Sequence, residues 1–114
     1  DYFQLGKYST NNEWQMFRTA SGGSNSETRT GGHTAWVCLG WTWSKLSDEF
    51  IMYLDGSQLG NTESGLGDWD STLSHPYIGA AYSNNTKVWD GWLAHVAIFS
   101  SILTPTQWSS LATI

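Results

Sequence analysis

Apolar and polar positions alternate most clearly towards the end of the chain. Between residues 88 and 99, Trp92, Ala94, Val96 and Ile98 share one face of an extended segment, and Leu93, His95, Ala97 and Phe99 share the other. Neither face is wholly polar, so the pattern predicts a central strand covered on both sides. A short helix is predicted next. Thr104 supplies an N-cap, Pro105 the first helical position and Gln107 the partner of a capping box. Leu103 and Trp108 stand where a hydrophobic staple would fix the angle at which the chain joins the helix.

The preceding segments read as further strands. Residues 2–5 form a short strand, residues 6–12 a polar turn, and residues 13–20 a strand with Trp14, Met16 and Arg18 opposite Gln15 and Phe17. Residues 21–32 contain no apolar side chain, which predicts a mobile loop. Strands follow at residues 34–43 and 50–54. Asp55-Gly56 is the favoured two-residue hairpin turn, because both positions need positive φ. Residues 57–60 return along the hairpin, and residues 61–73 form a polar loop interrupted by Trp69. A strand at 76–82 and a turn at 83–86 lead into the terminal segment. Some seven short strands with one helix predict a single all-β domain over residues 1–114, an antiparallel sandwich.

Charge narrows the partners. The net charge is −5, and the basic residues Lys7, Arg18, Arg29, Lys45 and Lys87 are scattered singly. No basic stripe exists to neutralise phosphates, which argues against nucleic acid and against anionic membrane surfaces. The apolar runs are too short to span a bilayer, so membrane insertion is not expected. Aromatic residues, eight Trp among them, make up 15% of the chain, too many for a disordered one. Charged residues make up 13%, against a usual share of about 25%. Ser, Thr, Asn and Gln must therefore solvate the surface, a style that suits extracellular, cell-surface or virion proteins. The chain starts at Asp1 without an initiator Met, which is expected of a processed chain or of a fragment of a longer one. Cys38 is single, so no disulfide forms within the chain, and it reads as a buried free thiol.

Five blocks, in order, carry a resemblance. They are Trp36-Val-Cys-Leu-Gly-Trp41, Phe50-Ile-Met-Tyr-Leu-Asp-Gly56, Tyr77-Ile-Gly79, Trp89-Asp-Gly-Trp-Leu-Ala-His-Val-Ala-Ile-Phe99 and Leu103-Thr-Pro-Thr-Gln-Trp108. Together they resemble laminin-G-like domains of the concanavalin A-like lectin/glucanase superfamily. The resemblance implies an antiparallel jelly-roll β-sandwich with ligand sites in loops at one rim or on the concave sheet. Such domains carry additional strands before the region of Asp1, so this copy reads as abbreviated. Ala94 also replaces an acidic residue common in the family's terminal strand. An abbreviated sandwich leaves a strand edge to be paired. That edge is expected to be completed by another segment or chain, whether a second copy (a homo-oligomer) or other chains of an assembly.

Because the superfamily includes glycoside hydrolases, catalysis is the first chemistry to weigh. Retaining enzymes hold two carboxyl groups about 5–5.5 Å apart and inverting ones about 6.5–9.5 Å. The family's hydrolases present them as Glu-x-Asp-x-x-Glu on one strand, a run this sequence lacks. The acidic residues lie mostly in turns, so no catalytic residues are assigned and a non-enzyme is expected.

Asp68-Trp69-Asp70 is the strongest candidate for binding. An indole flanked by carboxylates is a platform on which a sugar ring stacks while the carboxylates take its hydroxyls. Equally, Trp69 can fold back to cover the core. Asp68 and Asp70 can hold Ca²⁺ through oxygen ligands, as laminin-G-like domains often do at a rim loop, or can be solvated turn residues. Asn84 and Asn85 add potential oxygen ligands to the same site, and with Thr86 they match a glycosylation sequon. No cofactor is required by any motif. His33, His75 and His95 show no zinc spacing, and His95 reads as structural. Trp36, Trp41, Trp92 and Trp108 are expected in the core, while Trp14, Trp43 and Trp89 fit either role. The expected function is a carbohydrate- or receptor-binding adhesion module, its partner a glycan or cell-surface receptor. The alternative is a structural domain of a virus particle or phage fibre, in capsid decoration or a tail component.

Overall fold

Six strands pair into two three-stranded antiparallel sheets, followed by one helix; the computed structural model describes residues 2–8, 13–20, 23–30, 35–68, 76–80 and 88–113. The first sheet has the order β1-β2-β3, with β1 Tyr2–Tyr8, β2 Glu13–Ala20 and β3 Gly23–Thr30. The second has the order β4-β5-β6, with β4 Leu39–Ser44, β5 Glu49–Leu54 and β6 Ser57–Glu63. Helix α1 spans Pro105–Leu111. These two antiparallel sheets are the layers of a β-sandwich, the architecture expected.

Alternation places the core between the sheets. Trp14, Met16, Arg18 and Ala20 all point inward from β2, as the sequence predicts. Trp14 and Met16 meet Phe50 and Met52 of β5, and Leu66 from the segment after β6 completes the cluster. Trp89 stacks on Trp14 with ring centroids 6.1 Å apart.

The β5–β6 hairpin turns at Asp55-Gly56 with φ of 47° and 80°, the two positive values expected of it. Cys38 N–H donates to the Asp55 carboxylate at 2.8 Å, and Asp55 N–H donates to the Cys38 carbonyl at 2.8 Å. The turn is thereby tied to the start of β4. The helix also forms as expected. Gln107 N–H donates to Thr104 Oγ1 at 3.3 Å, and Thr104 N–H donates to Gln107 Oε1 at 2.8 Å, closing the capping box. Leu103 and Trp108 are buried together against Tyr53, whose ring stacks on the indole at 4.7 Å and 12°.

Several expectations are corrected. Residues 23–30 form β3 instead of a loop, paired residue by residue with β2 from Glu13↔Thr30 to Ala20↔Gly23. Backbone hydrogen bonds to a strongly patterned neighbour make this strand, so it needs no apolar face of its own. β1 runs on to Tyr8 and β6 to Glu63, each through residues expected in a turn or loop. Of the strand expected at 34–43, the described residues 35–38 are not part of β4, and the described part of the segment expected as a strand at 76–82, residues 76–80, is not one.

The terminal segment is the largest correction. Residues 88–99 form no strand, and Trp92 and Ile98 are 85% and 83% exposed. Alternation shows that a segment can pair on two covered faces, but a strand exists only with a partner. No strand pairs with this segment among the described residues, although Trp89 N–H donates to the Gly79 carbonyl at 2.7 Å. His95, exposed and at φ 51°, also breaks the extended backbone that a strand requires. Trp36, expected in the core, is 71% exposed in the irregular stretch before β4. Trp41 and Trp89 are partly buried against the core, and Trp43 is on the surface.

Candidate functional site

The segment leaving β6 is held to the body of the protein at one apolar point. Leu66 is 2% exposed and lodges between the sheets, while Gly65 and Gly67 on either side take positive φ of 74° and 65°. Asp68 follows at the surface, where its carboxylate Oδ1 lies 2.9 Å from Lys45 Nζ. Lys45 Nζ also donates to the Gly67 carbonyl. Its ammonium holds the Asp68 carboxyl below the ordinary carboxylate range, chiefly through the hydrogen bond it donates to the Asp68 carboxylate itself. Asp68 is therefore an outward-facing anion at neutral pH.

The backbone behind Asp68 is gripped by two more charged side chains. Asp48, in the β4–β5 turn, accepts from Gly65 N–H at 2.9 Å and from Leu66 N–H at 2.7 Å. These two bonds, Leu66 first, lower its pKa below the usual 3.8, and Lys45 and Arg18 add to the effect. Arg18 is 1% exposed and donates through Nη1 to the Leu66 carbonyl. Burial pulls its pKa down while Asp48 opposes that pull.

Of the residues expected at the site, the structure describes Asp68 alone. Trp69, Asp70, Asn84 and Asn85 lie outside the described residues, as do His33, His75 and the sequon threonine Thr86. No group of three metal-ligating side chains occurs among the described residues. A cation approaching Asp68 must also compete with the Lys45 ammonium for its oxygen. Arg18, Asp48 and Lys45 were not singled out by motif. One signal was available: an arginine on the same strand face as Trp14 and Met16.

Cys38 is half-buried, less enclosed than expected, and burial followed by the nearby Asp55 raises its thiol pKa. The thiol form prevails at neutral pH, which makes it a poor nucleophile. No helix among the described residues is long and apolar enough to cross a membrane.

Residues 1–107 match the laminin-G-like profile described as the concanavalin A-like lectin/glucanases superfamily, and the chain belongs to that family. A solved S-layer domain-containing protein (residues 221–444) from Clostridium thermocellum ATCC 27405 has a similar fold, with a TM-score of 0.59 at 21% identity. The match covers 98% of this chain and 56% of that one, so the chain spans little more than half the length of its structural neighbour. No curated protein matches the chain.

Proposed function

We propose that this chain is a non-catalytic carbohydrate- or receptor-binding module on an exterior surface, and that it makes contact through the loop around Asp68, Trp69 and Asp70. The observation that carries the reading is the anchoring of this loop: Leu66 is fixed in the core and Asp68 faces outward two residues later. Fixing a loop before the ligand arrives lowers the ordering cost of binding. Membership of a superfamily that includes lectins supports a sugar ligand. That the structural neighbour is an S-layer domain-containing protein supports an extracellular, cell-surface setting. Asn84 and Asn85 are proposed as further hydroxyl partners, and Ca²⁺ as a ligand that Asp68 and Asp70 would share once Lys45 is displaced.

The test is a glycan array with the wild-type chain and Trp69→Ala. The substitution is expected to weaken a reproducible hit by about 1–3 kcal/mol while leaving the melting temperature unchanged. Unchanged binding with a large loss of stability would place Trp69 in the core and remove it from the site.

A second reading is favoured by the exposed apolar side chains of residues 88–102. Trp92, Val96, Ile98 and Ile102 stand on a segment without a strand partner among the described residues, one suited to a homo-oligomer or to the other chains of an assembly, whether a cell-surface layer, a virus particle or a phage fibre. If it holds, light scattering shows a concentration-dependent oligomer that Trp92→Asp with Ile98→Asp returns to monomer. A monomer at every concentration would refute self-association.

A further inference from the structure

Three charged side chains, from β2 and the β4–β5 turn, converge on four backbone groups of residues 65–67. Asp48 takes the Gly65 and Leu66 N–H groups, Arg18 the Leu66 carbonyl, and Lys45 the Gly67 carbonyl together with the Asp68 carboxylate. We propose that Arg18, Asp48 and Lys45 are positioning residues: they fix the direction in which the Asp68 tip leaves the protein, and so the specificity of the binding loop. This rests on the reading of that loop as the contact surface.

Two features favour positioning over simple stabilisation. A guanidinium buried in an apolar layer is a poor choice for stability, because taking an ion out of water is costly and an apolar residue of similar volume often serves as well or better. Arg18 stands beside Trp14 and Met16 on the inward face of β2, where Leu or Met would fit the pattern. What Arg18 adds is a directed bond to a single loop carbonyl. Asp48 takes a left-handed φ of 54°, a conformation aspartate adopts readily, and from there its carboxylate meets two adjacent N–H groups. Gly65 and Gly67 would leave the loop backbone many alternatives, and the clamp selects one.

Amide exchange followed by NMR on the full chain tests this, with Asp48→Asn as the main variant. An asparagine offers one acceptor oxygen where the carboxylate offers two, so one N–H is released. Exchange at the released amide, Gly65 or Leu66, is expected to rise about 10–100-fold, with β2 and β5 amides and the melting temperature unchanged. The pH profile adds a readout that a merely structural role would not move. The charged groups around Asp48 are Arg18, Lys45 and, through Lys45, Asp68. Asp48 is more acidic in the folded chain, so its grip is complete above its unfolded value and is lost as pH falls through its folded value, below 3.8. Wild-type protection at Gly65 and Leu66, corrected for intrinsic rates, should therefore fall in that range, and Asp48→Asn should show no such step.

Unchanged exchange in Asp48→Asn, or acceleration spread evenly over the core, would overturn the proposal. Lys45→Met serves as a second surface variant, expected to loosen Gly67 and Asp68 alone; no local change there would count against the clamp. If the local exchange changes appear but the wild-type chain binds no sugar on the array, the clamp stands and the ligand reading fails. If sugar binds and Asp48→Asn leaves both affinity and sugar preference intact, positioning fails while the ligand reading survives.

Discussion

Trp108→Ala is expected to destabilise the chain by about 3–5 kcal/mol, read as a shift of the denaturation midpoint. The size follows from what the indole fills. It lies over Gly40 so closely that a Cβ there would stand 2.3 Å from its ring carbon Cη2, and its face stacks on Tyr53. Leu103, Ile51 and Leu111 close the same pocket. Removing the ring opens a cavity beneath a strand glycine that has no side chain to collapse into it. Trp108→Phe should cost much less, because the stacking surface remains and a buried indole N–H without a partner among the described residues disappears. Trp92→Ala and Trp36→Ala provide the contrast. Both residues looked like core by pattern yet are largely exposed, so each should shift stability by no more than about 0.5 kcal/mol. Equal losses for Trp92 and Trp108 would mean that residues 88–99 are packed after all.

Much of the architecture was legible because local rules and packing agree in particular places. In β2, Trp14, Met16 and Ala20 alternate with residues that lie nearer the surface, and β2 spans the residues expected of it. The hairpin at Asp55-Gly56 and the Thr104–Gln107 capping box were readable because each needs specific residues at fixed spacing. β3 was not readable, because its partner lies in another strand and its sequence carries no apolar stripe. Residues 88–99 fail in the opposite sense: the stripe is present, and the partner is not among the described residues.

Of the proposed site, the sequence offered only the tip. Asp68 was proposed from its carboxylate-flanked aromatic neighbour, whereas Arg18, Asp48 and Lys45 meet backbone groups 17 to 48 residues away. No spacing rule reaches that far. Arg18 on an apolar face was the one visible clue, and it pointed to a buried polar contact without naming the partner.

Gly56→Val is the second large effect, with about 2–5 kcal/mol of destabilisation expected. Two costs combine. Gly56 has φ 80°, and a residue with a Cβ pays about 1–2 kcal/mol there, more when β-branched. A Cβ at this position would also stand 2.7 Å from Ser109 Cα, a backbone atom of α1 that moves only if the whole helix moves. Overpacking of that kind adds about 1–3 kcal/mol. The two costs separate in a chain truncated after Leu103, which removes the helix and leaves the turn. There the penalty should shrink to the dihedral part, provided the truncated wild type still folds; Gly56→Asn in the full chain isolates the contact instead, since asparagine tolerates positive φ but still brings a Cβ. If Gly56→Asn costs nothing, α1 does not press on the hairpin. Among the described residues, the cluster of Trp108 with Gly40, Tyr53, Leu103, Ile51 and Leu111 would then anchor the helix.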